Sequence, residues 1–149
     1  MFKHILVPVD GSAAALAAVD KALGLAKAFE SSITIIYVID PYPFTGVGAD
    51  FAYGQDQYLT AATAEANTAI EAAGARVAAG GMHAESRVIE SHAIWRGILE
   101  AAETTGADLI VMGSHGRRGL EKLVLGSVTQ SVLSHSKVTT LVVRSDAKE

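Results

Sequence analysis

The chain of 149 residues contains no cysteine. That removes a disulfide framework, a thiolate metal site and a cysteine nucleophile, and it is compatible with a reducing compartment. Positive charge is also short: 12 Lys and Arg stand against 16 Asp and Glu, a formal net charge of −4 with a sequence pI near 5.7. Phosphate-backbone binding leaves a basic footprint, so this balance argues against nucleic acid as a partner. The opening MFKHILVPVDGS has only a short apolar run before Asp10. It resembles neither a signal peptide nor a membrane span, so the expected setting is cytoplasmic, with no membrane partner.

Familiar catalytic patterns are missing too. Five histidines, His4, His83, His92, His115 and His135, show no HxxxH or HExxH pairing, which argues against a zinc site. No GxSxG elbow supports a serine hydrolase. There is no GxxxxGK[ST] loop, and no GxGxxG follows the first apolar run, so ordinary P-loop and dinucleotide-binding assignments fit poorly.

What is present is core material for a single domain over residues 1–149. Hydrophobic residues make up 50% of the chain and the mean hydropathy is +0.30, enough to cover both faces of a sheet. Much of this is alanine, which buries little area, so the specific core must come from Ile, Leu and Val runs. Residues 2–9 and 33–39 read as buried strands, the nearly continuous apolar pattern of parallel strands covered on both sides. Between them Leu16, Val19, Leu23 and Ala26 fall on one face of a helix over 13–29 that Ser12 can cap. Residues 40–57 read as a long loop. A helix over about 57–79 follows, with Ala62, Ala66, Ala69, Ile70, Ala73 and Val77 on one side, before Gly80 and Gly81 stop it. Strands over 83–89, 108–112 and 138–144 and helices over 93–105 and 128–134 complete the pattern.

Five strands alternating with four helices predict an α/β fold: a single doubly wound, mostly parallel, Rossmann-like sheet built with right-handed crossovers. In the common order 3-2-1-4-5 the first and fourth strands are neighbours, and their carboxyl ends open one crevice at the switch point. Asp10 would then stand beside Gly113. Residues 138–144 would form a sheet edge, an aggregation hazard unless covered, which pairing with the same strand of a second protomer would do symmetrically.

The fourth strand runs into Gly113-Ser114-His115-Gly116-Arg117-Arg118-Gly119, and Gly126-Ser127 opens another helix. Glycines let successive backbone N–H groups approach phosphate oxygens, and the helix start adds further donors and the positive end of its dipole. Arg117, Arg118 and Lys122 add local positive charge, although these side chains could simply be solvated. In the alternative reading the glycines only turn the chain and Ser127 caps the helix, with Gln130 completing a capping box. Capping alone does not require glycine at 113, 116, 119 and 126. Asp10 could line the site or only start the turn before the first helix. His115 could donate a hydrogen bond to a ligand or be a surface turn residue. The aromatic residues Tyr42, Phe44, Phe51, Tyr53 and Tyr58 could form a lid, a partner surface or a cover for the core.

The segments ILVPVDGS, ADLIVMGSHGRRGLEKLVLGSVTQSVL and LVVR resemble the universal stress protein family over essentially the whole chain. Its nucleotide-binding branch carries a G-2x-G-9x-G-(S/T) pattern, which Gly113, Gly116, Gly126 and Ser127 match. The resemblance implies ATP as ligand. Pro8, Val9, Asp10 and Val38 would line the adenine and ribose end, continued by Met112 and Gly113. Residues from Gly116 through Arg117 and Arg118 to Gly119, beside His115, would face ribose and phosphates, and Gly126, Ser127, Val128 and Thr129 would hold the phosphate tail. It also implies homodimers. The chain departs from many members at Val138-Thr139-Thr140, where a proline is usual.

The leading expectation is an ATP-binding stress-response or regulatory protein, a homodimer with slow or no hydrolysis and at most weak ATPase activity, because no general base is evident. The alternatives are a Mg²⁺-dependent ATPase or phosphotransferase using Asp10 or His115, and a nucleotide-free dimeric interaction module. Alanine at Gly113 or Gly126 is expected to weaken binding without unfolding the domain.

Overall fold

The computed structural model describes residues 1–41, 49–115 and 125–144, with residues 49–53 described by their backbone alone. Among these, five strands alternate with four helices: β1 (His4–Pro8), α1 (Ala13–Phe29), β2 (Ser32–Ile39), α2 (Ala49–Ala79), β3 (Ala84–Glu90), α3 (Ile94–Thr105), β4 (Leu109–Gly113), α4 (Ser127–His135) and β5 (Thr139–Val143). All pairings are parallel, and the order is β3-β2-β1-β4-β5. The expected topology is therefore present, with β1 and β4 adjacent at the switch point and β5 at an edge. No helix among the described residues is long and apolar enough to cross a membrane.

Strand alternation divides the core into two layers. Ile5, Val7 and Val9 pack with α1 and α2, whereas Leu6, Ile36, Val38, Ile110 and Met112 pack with Ile98, Ala101 and Ala102 of α3 and Val132 of α4. Ile5, Leu6 and Val7 are all at most 1% exposed, which is why β1 carries no polar position in its centre.

Helix α1 begins as expected. Ser12 accepts the Ala15 N–H at 3.1 Å, satisfying a donor that the first turn leaves unpaired. Its buried face differs from the expected one. Ala15, Ala18, Val19, Ala22 and Ala26 face the core, while Leu16 and Leu23 are half-buried at its margin. The small side chains let the helix lie close to the sheet, and the leucines fill the seam beside it. A Cβ at Gly80 would collide with Leu23, so that glycine ends α2 and also makes room for α1.

The long loop expected over residues 40–57 is shorter, because α2 already begins at Ala49. No proline follows Pro43, and Gly54 inside the helix costs only about 1 kcal/mol. Near the start of α2, Gln55 donates to Pro41 O at 2.8 Å and Tyr58 to Asp40 O at 3.0 Å, tying the helix to the end of β2. Tyr58 thus braces the chain, and Phe51 and Tyr53 belong to the helix. Tyr42 and Phe44 lie outside the described residues. The turn before β5 is formed without proline. Ser136 Oγ accepts from Val138 N–H and donates to Val138 O, both at 2.9 Å.

Candidate functional site

The carboxyl ends of β1, β2 and β4 open into a cleft of about 410 Å³. Its floor begins where β1 stops. Asp10 Oδ1 accepts the Ser12 N–H at 3.0 Å, and Gly11 between them has φ +85°, a left-handed conformation that glycine adopts without strain. Asp10 therefore does shape the turn, and its half-buried side chain also lines the cleft beside Pro8 and Val9. Val38 from β2 and Met112 and Gly113 from β4 continue the wall.

The opposite side is the start of α4. Gly126 is its N-cap, with φ −64° and ψ 158° and no side-chain cap. Ser127 is thus the first helical residue and does not cap the helix, and Gln130 donates to Leu125 O at 2.6 Å instead of completing a capping box. Gln130 N–H is bonded to Gly126 O at 2.9 Å, so the N–H groups of Ser127, Val128 and Thr129 precede the first intrahelical bond. Gly126 through Thr129 line the cleft. Such a start, carrying the positive end of the helix dipole, favours an anion.

Two hydrogen bonds fix this helix against the sheet. Thr129 Oγ1 donates to Gly113 O at 2.9 Å, and Gly126 N–H donates to Ser114 O at 2.8 Å. Thr129 is 2% exposed, and its hydroxyl proton is engaged within the protein, so its own contribution is to hold α4 in place. Gly113 also has a packing duty: a Cβ there would lie 3.0 Å from Ala14 Cβ and 3.1 Å from its carbonyl carbon. Alanine at Gly113 would therefore press on α1, and it is not the clean binding probe the sequence led one to expect.

Eleven of the expected site residues thus meet in one cleft: Pro8, Val9, Asp10, Val38, Met112, Gly113, His115, Gly126, Ser127, Val128 and Thr129. Gly116, Arg117, Arg118 and Gly119 lie outside the described residues. The structure adds Ser12, Ala15, Tyr37, Ile94 and Ile98, which sequence reasoning missed. Ile94 and Ile98 form an apolar wall one helical turn apart. Gly97 lets this wall approach β2, since a Cβ there would stand 2.8 Å from Val38 Cγ1. The i, i+4 isoleucines flanking a glycine are visible in sequence, but an apolar helix face looks the same whether it lines a cleft or the core. Helix α3 also lacks a side-chain cap, yet it presents isoleucines to the cleft, whereas α4 presents its backbone start.

His115 is half-buried, and its Nδ1 is closed to solvent without a hydrogen-bond partner among the described residues. No group of three or more His, Cys, Asp or Glu residues among the described ones is placed to hold a metal ion.

Sheet order, switch-point cleft and uncapped α4 together define a doubly wound α/β domain with a helix start opening onto its switch-point cleft. Residues 1–144 match the Universal stress protein family, and the chain belongs to that family. Universal stress protein MJ0531 of Methanocaldococcus jannaschii is 34% identical over 149 residues, covering 100% of this chain and 86% of the relative. The solved universal stress protein UspA from Lactobacillus plantarum superposes with a TM-score of 0.84 at 27% identity, over 95% of this chain and 97% of that one. A solved universal stress protein in complex with cAMP matches with a TM-score of 0.66 at 27% identity, over 95% of this chain and 96% of the other.

Proposed function

We propose that this cleft binds an adenine nucleotide, with ATP as the ligand, and that the protein is a cytoplasmic stress-response regulator with slow or no hydrolysis. The observation that carries this reading is the uncapped start of α4 opening onto the same cleft as the apolar wall of Val38, Ile94, Ile98 and Met112. An anion-accepting end beside an apolar slot suits a molecule that is a flat base at one end and phosphate at the other. The relative in complex with cAMP supports an adenine nucleotide. Pro8, Val9, Asp10, Val38, Met112 and Gly113 would hold base and ribose, and His115 with Gly126, Ser127 and Val128 would meet the phosphates, Thr129 keeping α4 in place.

The cleft's chemistry supports slow turnover. Asp10 is the only carboxylate among its described lining residues, and one of its oxygens already serves the Ser12 N–H. Positioning phosphates without a base to orient water lowers the barrier little. A homodimer paired along β5 would cover an edge that exposes Leu141.

The direct test is to denature protein purified from cells and identify the released nucleotide by mass spectrometry. ATP near one equivalent per chain is expected. Protein that releases no nucleotide and binds no added ATP would instead be an interaction module. Steady phosphate release that needs Mg²⁺ and vanishes on Asp10→Asn would favour the phosphotransferase alternative.

A further inference from the structure

The two edges of the sheet differ in chemistry. β5 reads TTLVV, without a charge, whereas β3 reads AESRVIE, with Glu85, Ser86, Arg87, Val88 and Glu90 all exposed. Along a strand, successive residues turn their N–H and C=O alternately to one side and the other. Ser91 N–H donates to Ile39 O, and Ile39 stands opposite Glu90, so the odd-numbered residues of β3 are the ones bonded to β2. Ala84, Ser86, Val88 and Glu90 turn their backbone groups outward, where no described strand lies. An edge of this kind is a template for another strand. Glu85 and Arg87, two residues apart, share one face of the sheet, and Ala84, Ser86 and Val88 share the other. Neither Glu85 nor Arg87 has an ion-pair partner among the described residues.

We propose that β3 is a self-pairing edge: two copies of the chain join antiparallel about a twofold axis through Ser86, making one continuous sheet. This surface lies at the opposite edge from β5 and does not depend on the nucleotide reading. Hydrogen-bond direction and charge together select the register. With the axis at Ser86, the outward-turned Ser86 meets its own copy and Ala84 meets Val88 of the second copy as hydrogen-bonded pairs. Glu85 then faces Arg87 of the second copy, twice, at the non-hydrogen-bonded positions, where Cα atoms stand about 4.5 Å apart and side chains approach most closely. An axis at Glu85, Arg87 or Glu90 would set that charge against itself, and one at Ala84, Val88 or Ile89 would bring no opposite charges together. On the other face Val88, 41% exposed in the single chain, gains Ala84 as an apolar neighbour. Charges of one sign would only guard the edge, but an acid and a base two residues apart are complementary to their own reverse. Main-chain bonds supply the attraction, and the ion pairs fix the register. The contact is isologous and closes with two copies.

The chain has no cysteine of its own, so Ser86→Cys in the whole protein reports this seam alone. Paired residues at the axis would have Cα atoms about 5.5 Å apart, within reach of a disulfide. Mild oxidation should convert most of the Ser86→Cys protein to a covalent dimer. Adding Glu85→Arg or Arg87→Glu sets like charges opposite each other at two places and should slow that cross-linking about tenfold. Making both exchanges in one chain should restore it, and so should mixing the two singly exchanged proteins, because each then presents the charge the other lacks. Failure of Ser86→Cys to cross-link, equal rates with and without the charge exchanges, or a mixture no faster than its components would each overturn the proposal. Sedimentation without cross-linking gives a second reading. Wild-type protein should show a larger mass than Arg87→Glu over the same range of concentration. A wild type that stays monomeric would overturn pairing at β3 and at β5 alike, whereas an oligomer whose mass Arg87→Glu leaves unchanged would overturn the β3 seam alone.

Discussion

At the amino end of the strands, polar groups are matched to one another. The Asp108 carboxylate accepts from Lys3 N–H at 3.0 and 3.1 Å and from His4 N–H at 3.0 Å. Asp108 N–H donates to His4 O, Ser32 N–H to Lys3 O, and Ser31 Oγ to Phe2 O. At the carboxyl end, α3 and α4 start without side-chain caps, and the buried Nδ1 of His115 has no partner among the described residues. One sheet thus has a closed end and an open one. Unmatched donors cost stability and are rare in native interiors, so their concentration around one cleft supports the proposed ligand site there.

Closing the open end gives the largest expected effect. Gly126→Asp keeps an allowed backbone, since φ there is −64°, and places a carboxylate where it can cap α4. The helix should gain a few tenths of a kcal/mol, while repulsion of phosphate and loss of its donors should weaken ATP binding by about a hundredfold or more. Thermal melts and calorimetry on the same protein read both signs, and undiminished ATP affinity would place the phosphates elsewhere.

Loosening the tie between the two sides of the cleft comes next. Thr129→Val removes the hydroxyl that donates to Gly113 O within the core and should lower stability by about 1–2 kcal/mol. Denaturant unfolding measures that loss, and a several-fold weaker ATP affinity should accompany it because α4 is less firmly held.

Opening the closed end has the smallest effect, and it falls on stability alone. Donation from Lys3 N–H is the main influence that holds the Asp108 carboxyl below the ordinary carboxylate range, with His4 N–H adding to it and burial opposing. A carboxyl so depressed in the fold stabilises fully above its unfolded value of about 3.9 and loses that contribution as pH falls through the folded value. Asp108→Asn should cost about 1 kcal/mol at neutral pH, reduced by the site's exposure. Its stability should converge on that of the wild type in acid, with ATP affinity unchanged. A change in ATP affinity would break the division between the two ends.

Much of this was legible in the chain. The expected bounds of α1 coincide with the observed ones, because Ser12 supplies a cap at its start and apolar period and turn residues are local signals. The alternation of elements predicted a parallel doubly wound sheet, but strand order was only the common 3-2-1-4-5 expectation, which the structure shows. The start of α2 was misread, because Gly46, Gly48 and Gly54 among aromatics resemble a loop, whereas the helix is secured by Gln55 and Tyr58 reaching Pro41 and Asp40. The buried face of α1 was partly misread for a related reason: side-chain size favoured its leucines, but close approach to the sheet favoured its alanines.

By itself the sequence determined the order of the elements, the parallel sheet buried on both faces, and the glycine spacing that placed the chain in its family. These rest on periodicity, on turn chemistry and on the nearly continuous apolar runs of the central strands. The tertiary structure alone decided that Ile94, Ile98 and Tyr37 share a cleft with Asp10 and Gly126, that Gly97 and Gly113 are spacers between packed elements, and that Ser127 begins α4 without capping it. Such facts depend on how closely distant segments approach one another. That distance is set by packing across the sheet, which no local pattern records.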